Sequence, residues 1–272
     1  MESINYRRMF DLEDHHWWFQ AKIDLMRRLV ARHSPAGTGS RPRLLDIGCG
    51  TGLFLSEERH SRSACGVDFS EEALRFARSR GISNLVCADS QTIPFASGSF
   101  DIVTAFDLLE HVDNDAASIA ETYRVLRPGG IALIGVPAHP FLRGAHDDAL
   151  HHKRRYRWDE FDGLFDPKIW SCRRMTWTFA SIYPIAGLFR SIRNLLPIAR
   201  NSIVDTSLTP ACLNRVLLEW HRLGNSWVET HNLPFGLSLL TVREKRITRK
   251  SDYCRSRPAT PDRMAGLPGS GG

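Results

Sequence analysis

Between Leu44 and Val136, short apolar runs alternate with stretches of helical pattern, and nothing else in the chain restricts the fold as much. A strand followed by a helix returns to the same sheet in parallel, so the alternation predicts a parallel α/β sheet. RLLDIG reads as the first strand and ACGVDF as the second, with LFLSEERH continuing into a helix between them. Ser70 offers a side-chain cap to the next helix, Glu71 and Glu72 fill its first turn, and Gly81 closes it. NLVCAD predicts a third strand and SFDIVTAF a fourth. A helix from about Asp113 to Arg127 stops at Pro128-Gly129-Gly130, and IALIGV forms the fifth strand.

Other segments break this rhythm. Residues 15 to 33 predict an amphipathic helix with Trp18, the Lys22 stem, Leu25 and Leu29 on one stripe, and SPAGTGSRP is a linker. WSCRRMTWTF and GLSLLTVREK read as two late strands. Between them lie FASIYPIAGLFRSIRNLLPIAR and PACLNRVLLEWHRLGNSWVE, the latter with Leu213, Val216, Leu217, Trp220, Leu223 and Trp227 at helical spacing. Both are expected to be helices covering the core, with a membrane-surface or lipid-tail groove as the alternative, because Arg-flanked apolar helices with Trp suit an interface. Beyond about Ile247 the chain is polar and rich in Pro, Gly and Ser, and predicts disorder.

A net charge of +6 suits an anionic partner such as a phosphorylated substrate or an acidic membrane, or only solubility. The 6 cysteines include no CxxC pair, which argues against a zinc site or disulfide framework and for a reducing compartment. MESINYRRMFDLEDHHWW lacks the basic-then-apolar order of a signal peptide, and the uncharged run between Arg174 and Arg190 is shorter than the roughly 20 residues that span a bilayer. The expectation is a cytoplasmic protein, with the membrane surface as an open possibility.

LLDIGCGTG carries the first chemical signal. Glycines at alternate positions after an apolar strand let the backbone turn sharply and approach a ligand closely. A dinucleotide fingerprint needs Gly or Ala at its sixth position. Counted from Gly48 that position is Leu53, and counted from Gly50 it is Leu55. No Gly-Lys-Ser/Thr follows, so a phosphate-binding loop is excluded too. Asp68 ends the second strand, where a carboxylate can accept hydrogen bonds from both hydroxyls of a ribose.

The stretch from 44 to 137 resembles a class I S-adenosylmethionine-dependent methyltransferase of the small-molecule type. DIGCGTG, GVDFS, CADSQTIPFASGSFDIV, DLLEHV and RVLRPGGIALIGVP match that family's motifs in order. The resemblance implies a Rossmann-like, seven-stranded, mostly parallel α/β sheet of order 3-2-1-4-5-7-6 with a helical substrate cap. It also implies S-adenosyl-L-methionine as cofactor. Gly48, Cys49, Gly50 and Gly52 would pack against it, with Asp46 holding the loop and the cofactor's amino end. Asp68 and Phe69 would lie at the ribose, Asp89 and Ser90 at the adenine, and Asp107 at the methionyl end.

For the chemistry, His111 follows the fourth strand, at the carboxyl edge where ligands bind in open α/β sheets. It could act as a base or contact the acceptor, or simply start a helix. HDDALHHKRRYRW, from His146 to Trp158, should hang over the same edge. Its readings are a metal site (His146, Asp147, His151, His152), an acid–base site with His146 or His151 oriented by an aspartate, an anion-gripping surface (Lys153, Arg154, Arg155, Arg157), or a solvated helix cap. The spacing matches no recognised metal pattern, and no metal is expected.

HHWWF paired with HD…HHKRRY is similar to a subset of such methyltransferases associated with glycan, lipid-linked and secondary-metabolite biosynthesis. That likeness implies a lid over the acceptor, formed by Trp17, Trp18, Asp147, Arg154, Arg155 and Tyr156. His152 fits the HxRRY spacing and joins His111 and His146 as a catalytic candidate.

The expected organisation is a lid helix and linker over 1–42 and a methyltransferase domain over 43–246. Cap insertions fall at about 138–165 and 179–230, and 247–272 is the tail. The expected reaction is methyl transfer, by O-methylation, to a small-molecule, glycan or lipid-linked acceptor. A non-catalytic scaffold or peripheral membrane module is the alternative. A nicotinamide dehydrogenase is disfavoured by the missing sixth-position residue, and nucleic acid by the absence of an RNA-binding module.

Overall fold

The computed structural model describes residues 3–35, 41–184 and 209–247. Seven strands form one sheet in the order β3-β2-β1-β4-β5-β7-β6. They are β1 (Arg43–Ile47), β2 (Ser63–Asp68), β3 (Leu85–Cys87), β4 (Phe100–Phe106), β5 (Leu126–Pro137), β6 (Trp170–Thr178) and β7 (Ser238–Lys245). β7 runs antiparallel to β5 and β6, and the other pairings are parallel. This is the Rossmann-like order that the family resemblance implies.

Alternation along buried strands divides the core into two layers. Leu44, Ile102 and Leu133 face one layer, which Leu25 and Leu29 of α2 (Trp17–His33) and Leu74 and Ala77 of α4 (Glu71–Ser79) complete. Leu45, Val103 and Ile134 face the other, closed by Ile119 of α5 (Asp115–Val125), Phe161 of α7 (Trp158–Asp162) and Trp170. The short α3 (Leu53–Glu58) follows the glycine loop, and α6 (Ala145–Ala149) lies in the segment after β5. Ser70 caps α4 as its sequence predicts, its side chain accepting from the Ala73 amide at 3.3 Å. Asn114 caps α5, its side chain accepting from the Ala117 amide at 3.0 Å, so the helix starts two residues after the expected Asp113. β5 begins at Leu126 and runs through Pro128-Gly129-Gly130. Gly129 adopts a positive φ and the pairing with β4 shifts register there, so the expected helix stop becomes the entry to a strand.

Two features depart further from expectation. An additional helix, α1 (Ser3–Glu13), precedes α2. And α8 (Ala211–Val228) does not cover the core with its apolar stripe: Leu213, Val216, Trp220, Leu223 and Trp227 are exposed. The buried side of α8 is His221, Asn225 and Val228. Asn225 donates to the Ala21 carbonyl at 2.8 Å and to Asp24 at 2.9 Å, Asn214 accepts from the Trp17 amide, and His221 stacks on Trp17. Helical spacing identifies a stripe, but here specific hydrogen bonds to α2 choose the opposite face. Most of the predicted 179–200 helix and the tail lie outside the described residues. No described helix is long and apolar enough to cross a membrane.

Candidate active site

The carboxyl ends of β1, β2 and β4 open into a cavity of about 1300 Å³. That exceeds the roughly 300–1,000 Å³ usual for one small ligand, so there is room for two. The loop after β1 forms one wall. Gly48, Gly50 and Gly52 all have positive φ, a region costly for other residues. At Gly52 a Cβ would also stand 2.8 Å from that of Ala77, so glycine is required for both conformation and space. Asp68 locks the loop. One of its oxygens accepts from the Gly50 amide at 2.8 Å and the other from the Ser70 amide at 2.9 Å. Each oxygen retains a second lone pair, and the carboxylate borders the cavity.

Asp46 is buried beneath the loop and accepts from the Thr104 hydroxyl at 2.6 Å. Burial pushes its carboxyl up to about 7. Cys49 and the exposed Phe69 border the cavity, as do Asp89 and Ser90. Asp89 accepts from the Gln91 amide at 2.9 Å, and the Ser90 hydroxyl pairs with that of Ser118 at 2.8 Å. Of the residues expected at the cofactor, only Gly52 stands behind the wall.

The opposite wall holds the titratable groups. Asp107, at the end of β4, has a φ of 50°, unusual outside glycine. It pairs with Lys22 of α2, whose ammonium lies 5.0 Å from the Trp18 ring centre. His111 and His152 both border the cavity, their rings edge to face with centres 4.7 Å apart. Burial, then the neighbouring His152, lowers His111 to about 4, so it is neutral at physiological pH. Beneath them Glu110 is fully buried. Burial first, and the Asp107 carboxylate second, push its carboxyl well above the usual range.

The segment expected to grip the acceptor is mostly wired to the protein itself. Asp147, fully buried, accepts from the Gly144 amide at 2.9 Å and Arg155 at 2.7 Å, and pairs with His152 Nδ1 at 3.0 Å. Arg155 also donates to the Ala138 carbonyl and reaches the cavity wall. Arg154 is spent on Asp115 and the carbonyls of Val112 and Asp113. Tyr156 is buried, its hydroxyl donating toward Asp115 and Leu109. Trp18 borders the cavity, whereas Trp17 turns to α8. Arg154, Tyr156 and Trp17 therefore build the wall from behind and do not face the cavity. The side chain of His146 lies outside the described residues.

Several wall residues escaped the sequence reading. Met9 of α1 sits over Gly50, and Glu13 pairs with the Thr51 hydroxyl and, at 2.8 Å, with Arg80. Tyr6, Met9, Phe10 and Glu13 share one helical face, a signal present in the sequence. Glu110, adjacent to His111, gave none.

A family model described as "Methyltransferase domain" matches residues 45–134. The chain is 35% identical over 103 residues to a ubiquinone biosynthesis O-methyltransferase of Bordetella bronchiseptica, covering 35% of this chain and 42% of that protein. It is 39% identical over 111 residues to a ubiquinone/menaquinone biosynthesis C-methyltransferase of Desulfotalea psychrophila, covering 38% and 44%. It thus spans less than half the length of either relative. Among solved structures, the Haloferax volcanii complex between the Trm112 methyltransferase activator and a methyltransferase contains a chain of like fold. That chain has a TM-score of 0.56 at 18% identity, with 91% of this chain and 95% of that one covered. A likeness at that identity speaks for the fold alone, but the matched model and the ordered motifs go further: residues 45–134 carry a methyltransferase domain of the class I S-adenosylmethionine-dependent kind.

Proposed function

We propose that this protein transfers a methyl group from S-adenosylmethionine to a hydroxyl of a small-molecule, glycan or lipid-linked acceptor. The observation that supports this most is the Asp68 carboxylate, fastened to the glycine loop by the Gly50 amide and bordering a cavity with room for two ligands. The donor set fits the cofactor. Asp68, Asp89 and Asp107 border the cavity, an acidic lining that repels phosphates but suits a cationic, phosphate-free nucleoside. When bound, S-adenosylmethionine supplies a methyl already activated by a positively charged sulfur. Gly48 and Gly50 let the backbone approach it, Asp68 accepts from the ribose hydroxyls, and Asp89 lies toward the adenine.

The other wall positions the acceptor about 3 Å from the methyl carbon. The oxygen–carbon bond forms as the carbon–sulfur bond breaks with its electron pair going to sulfur, and the hydroxyl proton must leave. His111 and His152 border the cavity on that side. Trp18 and Arg155 line the acceptor side, and α1 with α2 acts as a lid, tied down by Lys22 at Asp107. The test is to incubate the full chain and labelled cofactor with hydroxyl-bearing glycans and lipid-linked acceptors, then locate the label by mass spectrometry. Label on oxygen is expected; label on carbon or nitrogen overturns the oxygen assignment, and tight cofactor binding without turnover favours a non-catalytic scaffold.

A second reading concerns location. The exposed stripe of α8, with Trp220 and Trp227 beside Arg215 and Arg222 in a chain of net charge +6, suits contact with an anionic membrane surface, where a lipid-linked acceptor would be met.

A further inference from the structure

Glu110, His111 and His152 each offer a ligand atom within 4.8 Å of the other two, at the edge of the cavity where the acceptor is proposed to bind. Glu110 follows β4, the strand next to β1, and lies behind the cavity lining that His111 and His152 form.

The Glu110 carboxyl is fully buried, and neither of its oxygens has a hydrogen-bond partner among the described residues. Buried polar groups without partners are rare and call for an explanation, an ion among them. Protonation does not remove the cost, because a neutral carboxyl still carries a donor and an acceptor to satisfy. His152 is held in a particular way. Its Nδ1 lies 3.0 Å from Asp147, a carboxylate that also accepts from Arg155 and the Gly144 amide. A carboxylate ringed by donors is ionised and can only accept, so the proton resides on Nδ1 and the lone pair on Nε2. That carboxylate–histidine arrangement is how metal-binding imidazoles are oriented. The His111 ring lies edge to face with that of His152, their centres 4.7 Å apart, so both imidazoles converge on the same point.

We propose that Glu110, His111 and His152 bind a divalent first-row transition cation, with Asp147 and Arg155 as positioning residues that fix the His152 ring. Two imidazoles and one carboxylate suit Mn²⁺, Fe²⁺, Co²⁺ or Zn²⁺ better than the hard, oxygen-seeking Ca²⁺ or Mg²⁺. The catalytic role of the cation rests on the hydroxyl acceptor proposed above. A hydroxyl held on the cation would release its proton to solvent far more readily than a free one, and the resulting oxygen would attack the methyl carbon while sulfur departs.

Calorimetric titration of the chelator-treated full chain with MnCl₂, and separately with CoCl₂, tests the site. One equivalent should bind, and Co²⁺ should show absorption free of thiolate bands. Glu110→Gln and His152→Gln should each weaken binding at least roughly 10-fold, while S-adenosylhomocysteine affinity and the melting temperature, which report folding, stay near wild type. Saturable binding lost in both variants upholds the site even if no hydroxyl acceptor is ever methylated. No saturable binding by wild type, or equal affinity in the variants, overturns it; hydroxyl methylation that persists in chelator would then leave the proposed reaction standing without the metal.

Discussion

The two walls of the cavity are built by different means. The cofactor wall is made of backbone: three glycines of positive φ after β1 and a carboxylate at the tip of β2 that accepts from the Gly50 amide. The wall proposed to meet the acceptor is made of side chains from α2, the β4 end and the 143–156 segment, joined by charge-assisted hydrogen bonds around Asp107, Asp115 and Asp147. Backbone geometry leaves a local mark in sequence, because only glycine tolerates it. A side-chain network leaves little mark, because each member is an ordinary charged residue until its partner is known.

The sharpest break of this contrast lies at Gly52. Gly52→Ala combines a left-handed backbone with a Cβ crowded against Ala77 and Ile82, and should cost about 2–5 kcal/mol of stability in denaturant unfolding. Loss under about 1 kcal/mol would mean that the loop relaxes freely and that its glycines are not required.

Asp46 provides a pH signature of the same wall. Its carboxyl titrates near 7 in the folded protein against an ordinary 3.8, so the native state holds more protons between those values. Its contribution to stability therefore falls as pH rises from about 4 to about 7, then stays level. Asp46→Asn should abolish that decline in melting temperature. An identical pH profile for variant and wild type would contradict the burial that causes it.

Smaller effects are expected behind the acceptor wall. Arg154→Ala should lower stability by roughly 1 kcal/mol, since it takes one of the partners of Asp115 and the donor to two carbonyls near the surface, and should leave the acceptor KM unchanged. A raised KM with unchanged stability would return Arg154 to the anion-gripping role that its sequence suggested. Smallest of all, Trp220→Ser with Trp227→Ser should change stability by no more than about 0.5 kcal/mol, because both rings are exposed. The same pair should abolish co-sedimentation with anionic vesicles; undiminished binding would sink the membrane reading.

What the sequence disclosed follows the same division. The alternating strands, the glycine loop, Asp68 and the Ser70 cap were legible because each rests on a local pattern of period or turn chemistry, whereas the strand order followed from the family resemblance. Arg154, Tyr156 and Trp17 were read as facing the acceptor, yet their partners Asp115, Leu109 and Asn214 lie far along the chain and draw them away from the cavity. The α8 stripe was legible as a stripe but not as to which face meets the protein, since that choice rests on Asn225 reaching Ala21 and Asp24. Glu110 reads as one more acidic residue after a strand, and only its burial without a partner sets it apart.

Calorimetry with S-adenosylhomocysteine tests the central claim most directly. Wild type should bind one equivalent, and Asp68→Ala should bind it roughly 10- to 100-fold more weakly, the loss of charge-assisted hydrogen bonds to the ribose. No heat from wild type, or equal affinity in Asp68→Ala, would contradict a cofactor seated between the glycine loop and the tip of the second strand.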